Sequence, residues 1–371
     1  MKTFADLGIS ESLIKGLTEL KILTPTEIQE KTIPFLLEKG SDFIGQAQTG
    51  TGKTAAFGLP LLMKVNPKKD TVQALILSPT RELGQQIAKQ LFRFTKFSDK
   101  IFVEAVYGGE KIDIQIARLN RPTHIVVATP GRLIDLLERK AIDLSDVQTI
   151  VLDEADEMLS MGFKKELDMV LTHTKGKRYT WLFSATMPKE IKDIIGKYMA
   201  PDAFKVEIDK DNVVNKHIDH QFITCADPSD KLNVLLRFLK TQGTNRGVVF
   251  CKTKSNAQVL AKQLMAKNIP ADAIEGDMQQ RDREKVMRAF KGEKLQVLVA
   301  TDLAARGIDV EGLSYVIHYQ LPDQIEYYTH RSGRTARAGK YGLSLSLVMK
   351  DEMKNLRFIE KNLGISILEA K

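Results

Sequence analysis

Thr149-Ile150-Val151-Leu152-Asp153-Glu154-Ala155-Asp156 sets an apolar, mostly β-branched run directly before a cluster of three acids. Four apolar residues without alternation, ending in a polar cluster, are how a strand reads when both its faces are buried. The same grammar recurs on either side. Ala74–Leu77 leads into Ser78-Pro79-Thr80-Arg81, His124–Ala128 into Thr129-Pro130-Gly131-Arg132, and Thr180–Phe183 into Ser184-Ala185-Thr186. Helix-like segments separate these runs, so the pattern predicts an α/β fold with a parallel sheet. It restarts downstream. Arg246–Phe250, Gln296–Ala300, Tyr315–Tyr319 and Leu343–Val348 form a second set, the first two followed by Cys251-Lys252 and Thr301-Asp302.

Two similar α/β units are therefore expected. Pro201–Gln221 is polar and without clear period, which puts unit one at 1–208, a linker at 209–216 and unit two at 217–371. Open parallel sheets bind ligands beyond the carboxyl ends of their strands, where the polar clusters fall.

The composition agrees with a globular chain: 371 residues, 43% hydrophobic and 27% charged. Lys plus Arg outnumber Asp plus Glu by 55 to 47, a formal charge of +8, which favours a polyanionic partner. Cys225 and Cys251 form no CxxC pair, so a zinc site or disulfide framework is not expected and a reducing compartment is. The first residues lack the apolar stretch of a signal peptide, and no run approaches the ~20 residues needed to span a bilayer. A cytoplasmic protein with no membrane partner is the expectation.

The sharpest motif is Ala47-Gln48-Thr49-Gly50-Thr51-Gly52-Lys53-Thr54, after Phe43-Ile44. Glycines let backbone N–H groups curl around phosphates, Lys53 would reach the β and γ phosphates, and the Thr54 hydroxyl would face Mg²⁺. The G-x-x-x-x-G-K-[ST] pattern departs at its first position, Ala47. About a hundred residues on, Asp153 suits Mg²⁺ through water, and Glu154 is placed to polarise an attacking water. A nucleotide's phosphates and Mg²⁺ are the ligands this pairing predicts, and the resemblance described next makes the nucleotide ATP.

Taken together, these motifs, in this order from Phe4 to about Gly342, resemble the DEAD-box family of superfamily 2 RNA helicases, named for the letters at Asp153-Glu154-Ala155-Asp156. The resemblance implies two RecA-like domains. It assigns adenine recognition to Phe4, Ile22 and Gln29, the last within Pro25-Thr26-Glu27-Ile28-Gln29, and ribose contact to Asp309. It gives Asp156, Ser184, Ala185, Thr186 and His330 the coupling of hydrolysis to RNA binding, with the hydroxyls of Ser184 and Thr186 bonding to the acid loop. In His330-Arg331-Ser332-Gly333-Arg334-Thr335-Ala336-Arg337 it makes Arg334 and Arg337 the arginine fingers; three apart, they share a face if the segment is helical. Ser332, Ala336 and Ala338 depart from the family's commoner residues there.

RNA contacts fall by the same resemblance on Pro79, Thr80, Arg81, Gly108, Gly109, Thr129, Pro130, Gly131, Arg132, Gln280, Arg283, Thr301 and Asp302. These are mostly phosphate and sugar binders, so RNA, single-stranded or in short duplexes, should bind with little sequence preference, its 2′-hydroxyls marking it off from DNA. The activity implied is ATP-dependent separation of short duplexes or remodelling of ribonucleoproteins. An ATP-gated RNA clamp and a DNA translocase carry similar motifs and remain open at this point.

Overall fold

In the computed structural model the described residues are 2–38, 40–48, 50–174, 178–208, 217–305, 313–336 and 341–370. The chain divides into two compact units, Met1–Asp209 and Lys210–Lys371. The expected linker, 209–216, lies outside the described residues.

The first unit is a seven-stranded sheet: β1 (Phe43–Gln46), β2 (Ala74–Leu77), β3 (Val103–Val106), β4 (Ile125–Ala128), β5 (Thr149–Leu152), β6 (Tyr179–Ser184) and β7 (Phe204–Glu207), in the order β3-β4-β2-β5-β6-β1-β7. All its pairings are parallel. Its helices are α1 (Glu11–Glu19), α2 (Glu27–Glu38), α3 (Lys53–Lys64), α4 (Arg81–Phe94), α5 (Ile112–Leu119), α6 (Pro130–Glu138), α7 (Ala155–Ser160), α8 (Lys164–His173) and α9 (Lys189–Tyr198). The two-residue period of a strand builds a core on each face. Ala74 and Ile76 enter one apolar cluster with Leu59 of α3 and Leu91 of α4, while Leu75 and Leu77 enter the other with Leu133 of α6 and Leu167 of α8.

The second unit repeats the plan. Its strands are β8 (Ile218–Cys225), β9 (Gly247–Phe250), β10 (Ala271–Ile274), β11 (Val297–Ala300), β12 (Tyr315–His318), β13 (Gly342–Met349) and β14 (Leu368–Glu369), parallel in the order β10-β11-β9-β12-β13-β8-β14. The helices are α10 (Pro228–Thr241), α11 (Lys254–Met265), α12 (Gln280–Lys291), α13 (Asp302–Ala305), α14 (Ile325–Ser332) and α15 (Met353–Leu363). Val297 and Val299 face one core, Leu298 and Ala300 the other.

One reading needs correction. The aperiodic stretch Pro201–Gln221 contains β7 and the start of β8. Both alternate rather than run apolar, because β7 is a sheet edge and β8 has only one short neighbour beyond it. No described helix is long and apolar enough to cross a membrane.

Candidate active site and nucleic-acid interface

The glycine loop leaves the carboxyl end of β1 and delivers the chain into α3. Gly50 (φ 83°) and Gly52 (φ 95°) take the left-handed conformation that glycine adopts without strain. A side chain on Gly52 would also collide with the Gln29 amide. Ala47 needs no such freedom. It is buried, and its N–H continues the sheet by donating to the Ser184 carbonyl at 3.0 Å, so an alanine fits where the motif usually has glycine. Lys53, 6% exposed, donates through Nζ to the Ala47 carbonyl at 3.1 Å, and Thr51 Oγ1 donates to the Gln48 carbonyl at 2.8 Å. The N-cap residue of α3 is Gly52, which has no side chain to cap it, and the first N–H groups of such a helix suit an anion. Thr54 is the second residue of that helix; Thr49 lies outside the described residues.

Gln29 is buried at the loop's flank. Its Oε1 accepts from Thr26 N–H at 3.0 Å and its Nε2 donates to the Gly52 carbonyl at 3.0 Å, while Thr26 Oγ1 donates to the Thr51 carbonyl at 2.8 Å. The amide therefore ties α2 to the phosphate loop and keeps one N–H and one lone pair in reserve. Thr26 was not singled out by its sequence; its partner is 25 residues away. Phe4 packs in the core at 3% exposure and Ile22 packs half-buried against the same cluster, so the geometry gives Phe4 a packing role beneath this region.

The acids follow β5, which lies one strand from β6 and two from β1. Asp153 is 3% exposed, and burial pushes its carboxyl up to about 7; Lys53 opposes the rise, and Glu154 and Asp156 add to it. Glu154 holds a left-handed backbone (φ 51°, ψ 53°), uncommon for a residue with a side chain and typical of strained functional turns, and its N–H donates to Asp153 Oδ1 at 3.1 Å. Asp156 reaches the end of β6. Its Oδ2 accepts from Thr186 N–H and Thr186 Oγ1, both at 2.8 Å, and its own N–H donates to Ser184 Oγ at 3.3 Å. Ala185 between them is buried.

The remaining first-unit candidates gather at the ends of β2, β3 and β4. Thr80 caps α4 by accepting from Leu83 N–H at 3.3 Å, Pro130 and Gly131 begin α6, and Gly109 is left-handed at φ 91°. A Cβ on Gly109 would collide with Arg81 Nη1, so Arg81 lies directly against the Gly108-Gly109 turn. Arg132 Nη2 donates to the Glu110 carbonyl at 3.0 Å, and the Nε of Arg81 and of Arg132 lie 3.8 and 3.6 Å from Glu82 and Asp135, but among the described residues the buried Nη1 of each finds no hydrogen-bond acceptor. Guanidinium donors left without an acceptor suit an anion. Thr129 precedes α6 as its N-cap residue, half-buried.

The second unit departs from expectation. Helix α14 ends at Ser332, so Arg334 sits in the turn beyond it, with Nε donating to the His330 carbonyl at 3.2 Å. The helix stops because Thr335 turns inward to donate to the Leu313 carbonyl at 2.5 Å and Ala336 takes a left-handed backbone (φ 55°). Arg334 is therefore not on α14; Arg337 and Asp309 lie outside the described residues. Asp302, expected on RNA, gives both carboxylate oxygens to Arg331 at 2.5 and 2.7 Å. Arg331 is 1% exposed, stacks its guanidinium 5.0 Å from the Phe250 ring and donates to the Gln320 carbonyl at 2.7 Å. The sequence stretch contained Arg331 but no sign that it would be buried while Arg334 stays partly exposed. Arg283 is also buried, donating to the Ala304 carbonyl at 2.7 Å, while Gln280 opens α12 and bonds to Glu284 at 2.7 Å. Thr301 is 6% exposed at the end of β11.

A glycine loop, a strand-end acid pair and a parallel sheet, followed by a second sheet of the same plan, define a two-unit P-loop protein. Residues 26–194 match the DEAD/DEAH box helicase family and residues 230–339 the helicase conserved C-terminal domain. The chain is 43% identical over 362 residues to the ATP-dependent RNA helicase CshA of Listeria monocytogenes, covering 97% of this chain and 69% of that protein. It is 42% identical to the DEAD-box ATP-dependent RNA helicase CshA of Geobacillus kaustophilus, covering 97% and 76%. Its structure is similar to that of S. cerevisiae Dbp5 bound to RNA and ADP BeF3, with a TM-score of 0.91 at 32% identity, over 100% of this chain and 96% of that one. The chain belongs to the DEAD-box ATP-dependent RNA helicases, and its two sheets are RecA-like domains.

Proposed function

We propose that this helicase hydrolyses ATP with Mg²⁺ to separate short RNA duplexes locally and remodel RNA–protein complexes. The observation that carries the reading is the Asp156 carboxylate bound to Thr186. It joins the acid loop to the end of β6, next to the phosphate-loop strand, while the RNA candidates begin one strand to the other side, on β2. One sheet edge thus holds nucleotide chemistry on β5-β6-β1 and orphaned arginine donors on β3-β4-β2.

In this mechanism the Gln29 amide takes the adenine edge, and Lys53 with the N–H groups of the loop and α3 takes the phosphates. Thr54 and Asp153 fit Mg²⁺, since a buried carboxyl whose proton is held by desolvation is the group a divalent cation ionises. The ion would offset phosphate charge. Glu154 orients the attacking water and accepts its proton. Arg334, with Arg337, supplies positive charge to the transferring phosphate, and Asp309 meets the ribose. Arg81, Arg132, Thr80, Thr129 and the Gly108-Gly109 backbone hold RNA by phosphate and sugar, which predicts affinity that falls with salt and varies little with sequence. The two free, buried cysteines fit a cytoplasmic setting.

Glu154→Gln tests the assignment, because it keeps shape and removes the base. ATP turnover should fall ~10²–10⁴-fold while ATP and RNA still bind, and RNA should leave more slowly with ATP present than from the wild type. Normal turnover would sink the assignment. Equally slow RNA release from the wild type, with no separation of a short duplex, would make the protein a clamp instead.

A further inference from the structure

Strand β3 ends the first sheet, and among the described residues no strand pairs with its outer edge. A groove of about 300 Å³ runs between that edge and α4. On the helix side it is walled by Gln85, Ala88, Lys89 and Phe92, which follow Arg81 at four, seven, eight and eleven residues and so continue the Arg81 face of α4. On the strand side it is walled by Val103, Ala105 and Tyr107. Tyr107 immediately precedes Gly108-Gly109, the turn packed against Arg81. It also holds Gln85, whose Nε2 donates to its hydroxyl at 2.6 Å. The groove thus opens from the cluster that presents the orphaned Arg81 donor and leads away along the helix.

Its far end is aromatic and basic. Phe92 is 69% exposed and Phe102, just before β3, is 46% exposed. Lys89, Arg93 and Lys100 are exposed nearby in sequence, against the single acid Asp99 between residues 89 and 102. Glu104, the only acid lining the groove among the described residues, is held by Arg118 at 2.7 Å. Glu104 also puts a charged residue inside the four-residue edge strand β3, a feature that discourages pairing by an added peptide strand. A surface with exposed π faces, unpaired cations and a direct path from phosphate-binding arginines has the chemistry of a single-strand nucleic-acid channel.

We propose that the groove between α4 and β3 is a subsite for the same RNA strand, taking nucleotides beyond those held by Arg81, Gly109 and Arg132. Phe92 stacks a base and Lys89 meets a phosphate. The inference rests on the RNA-binding reading of the arginine cluster. It also gives this unit a preference for strand length that the cluster alone does not supply.

The test uses the full chain with a non-hydrolysable ATP analogue and fluorescent oligouridylates, one short and others lengthened at the 5′ or the 3′ end. One lengthened strand should bind the wild type roughly tenfold more tightly than the short strand. Lys89→Ala with Phe92→Ala should remove that gain and leave the short strand's affinity and the melting temperature unchanged. A wild type indifferent to length, or a gain that survives the double substitution, overturns the subsite and leaves the groove to a peptide. Arg132→Ala separates the two levels. If it leaves short-strand binding intact, the cluster's RNA role fails and the subsite falls with it; if it weakens every strand while the length effect follows Lys89 and Phe92, both stand.

Discussion

The strand-end arginines of the two units are treated in opposite ways. In the first, Arg81 and Arg132 each keep a buried guanidinium N–H without an acceptor among the described residues. In the second, Arg331 is saturated by Asp302, Gln320 and Phe250, Arg283 is tied to Ala304, and Lys252 and Lys254 pair with Asp323 and Asp277. Arginines of the two units thus serve different ends. An unsatisfied buried donor is costly unless a ligand arrives, whereas a saturated one stiffens the loop that bears it. The first unit's arginines are therefore ligand-ready, and those of the second largely hold its own strand-end loops in place.

That contrast can be broken most sharply at Arg334, the second-unit arginine proposed to act in chemistry. Arg334→Ala should cut RNA-stimulated ATP turnover by ~10³–10⁵, roughly 4–7 kcal/mol of barrier, with the melting temperature nearly unchanged. Near-normal turnover in a steady-state assay would remove it from the mechanism. Arg331, two residues before Gly333, should behave differently. Arg331→Met strands the Asp302 carboxylate and should cost about 3–5 kcal/mol of stability, read as a lower denaturation midpoint of the second unit before any specific kinetic effect. Full stability with lost activity would instead place Arg331 in the chemistry and erase the distinction drawn here.

On the first unit the expected losses are smaller and fall on binding. Arg132→Ala should weaken RNA by about 1.5–3 kcal/mol, uniformly across unrelated sequences and with a shallower salt dependence, leaving the fold intact. A loss confined to one sequence would mean base readout. Gln29→Ala should have the subtlest signature. It removes both the adenine contact and the tie between Thr26 and Gly52, so ATP use should fall by more than GTP use, by about tenfold for one charge-neutral bidentate contact, while GTP use also declines modestly as the loop loosens. Equal loss for the two nucleotides would leave Gln29 only the structural tie.

The short apolar runs made the sheet interiors legible: Ala74–Leu77 and Thr149–Leu152 are strands over those residues, because a strand covered on both faces must be apolar throughout. Of the strands that the apolar runs do not show, β3, β7, β10 and β14 are the four sheet edges, and β1 and β8 each lie next to one. Edge strands are half in water and carry Glu104, Lys205 and Asp272, so their sequence resembles loop. The same division holds at the site. The glycine loop and the acid run are local: Gly50, Gly52 and Lys53 act on the backbone beside them, and Asp153 and Glu154 end one strand, so spacing alone located them. Long-range partnership is not local. Nothing near Asp302 indicates that Arg331, 29 residues on, will take both its oxygens, and nothing near Arg334 shows that Thr335 will turn to the Leu313 carbonyl and end the helix. Residue type and spacing fix which groups reach the sheet edge; only packing decides which of them are satisfied there, because a hydrogen bond between distant residues depends on where the rest of the chain brings them.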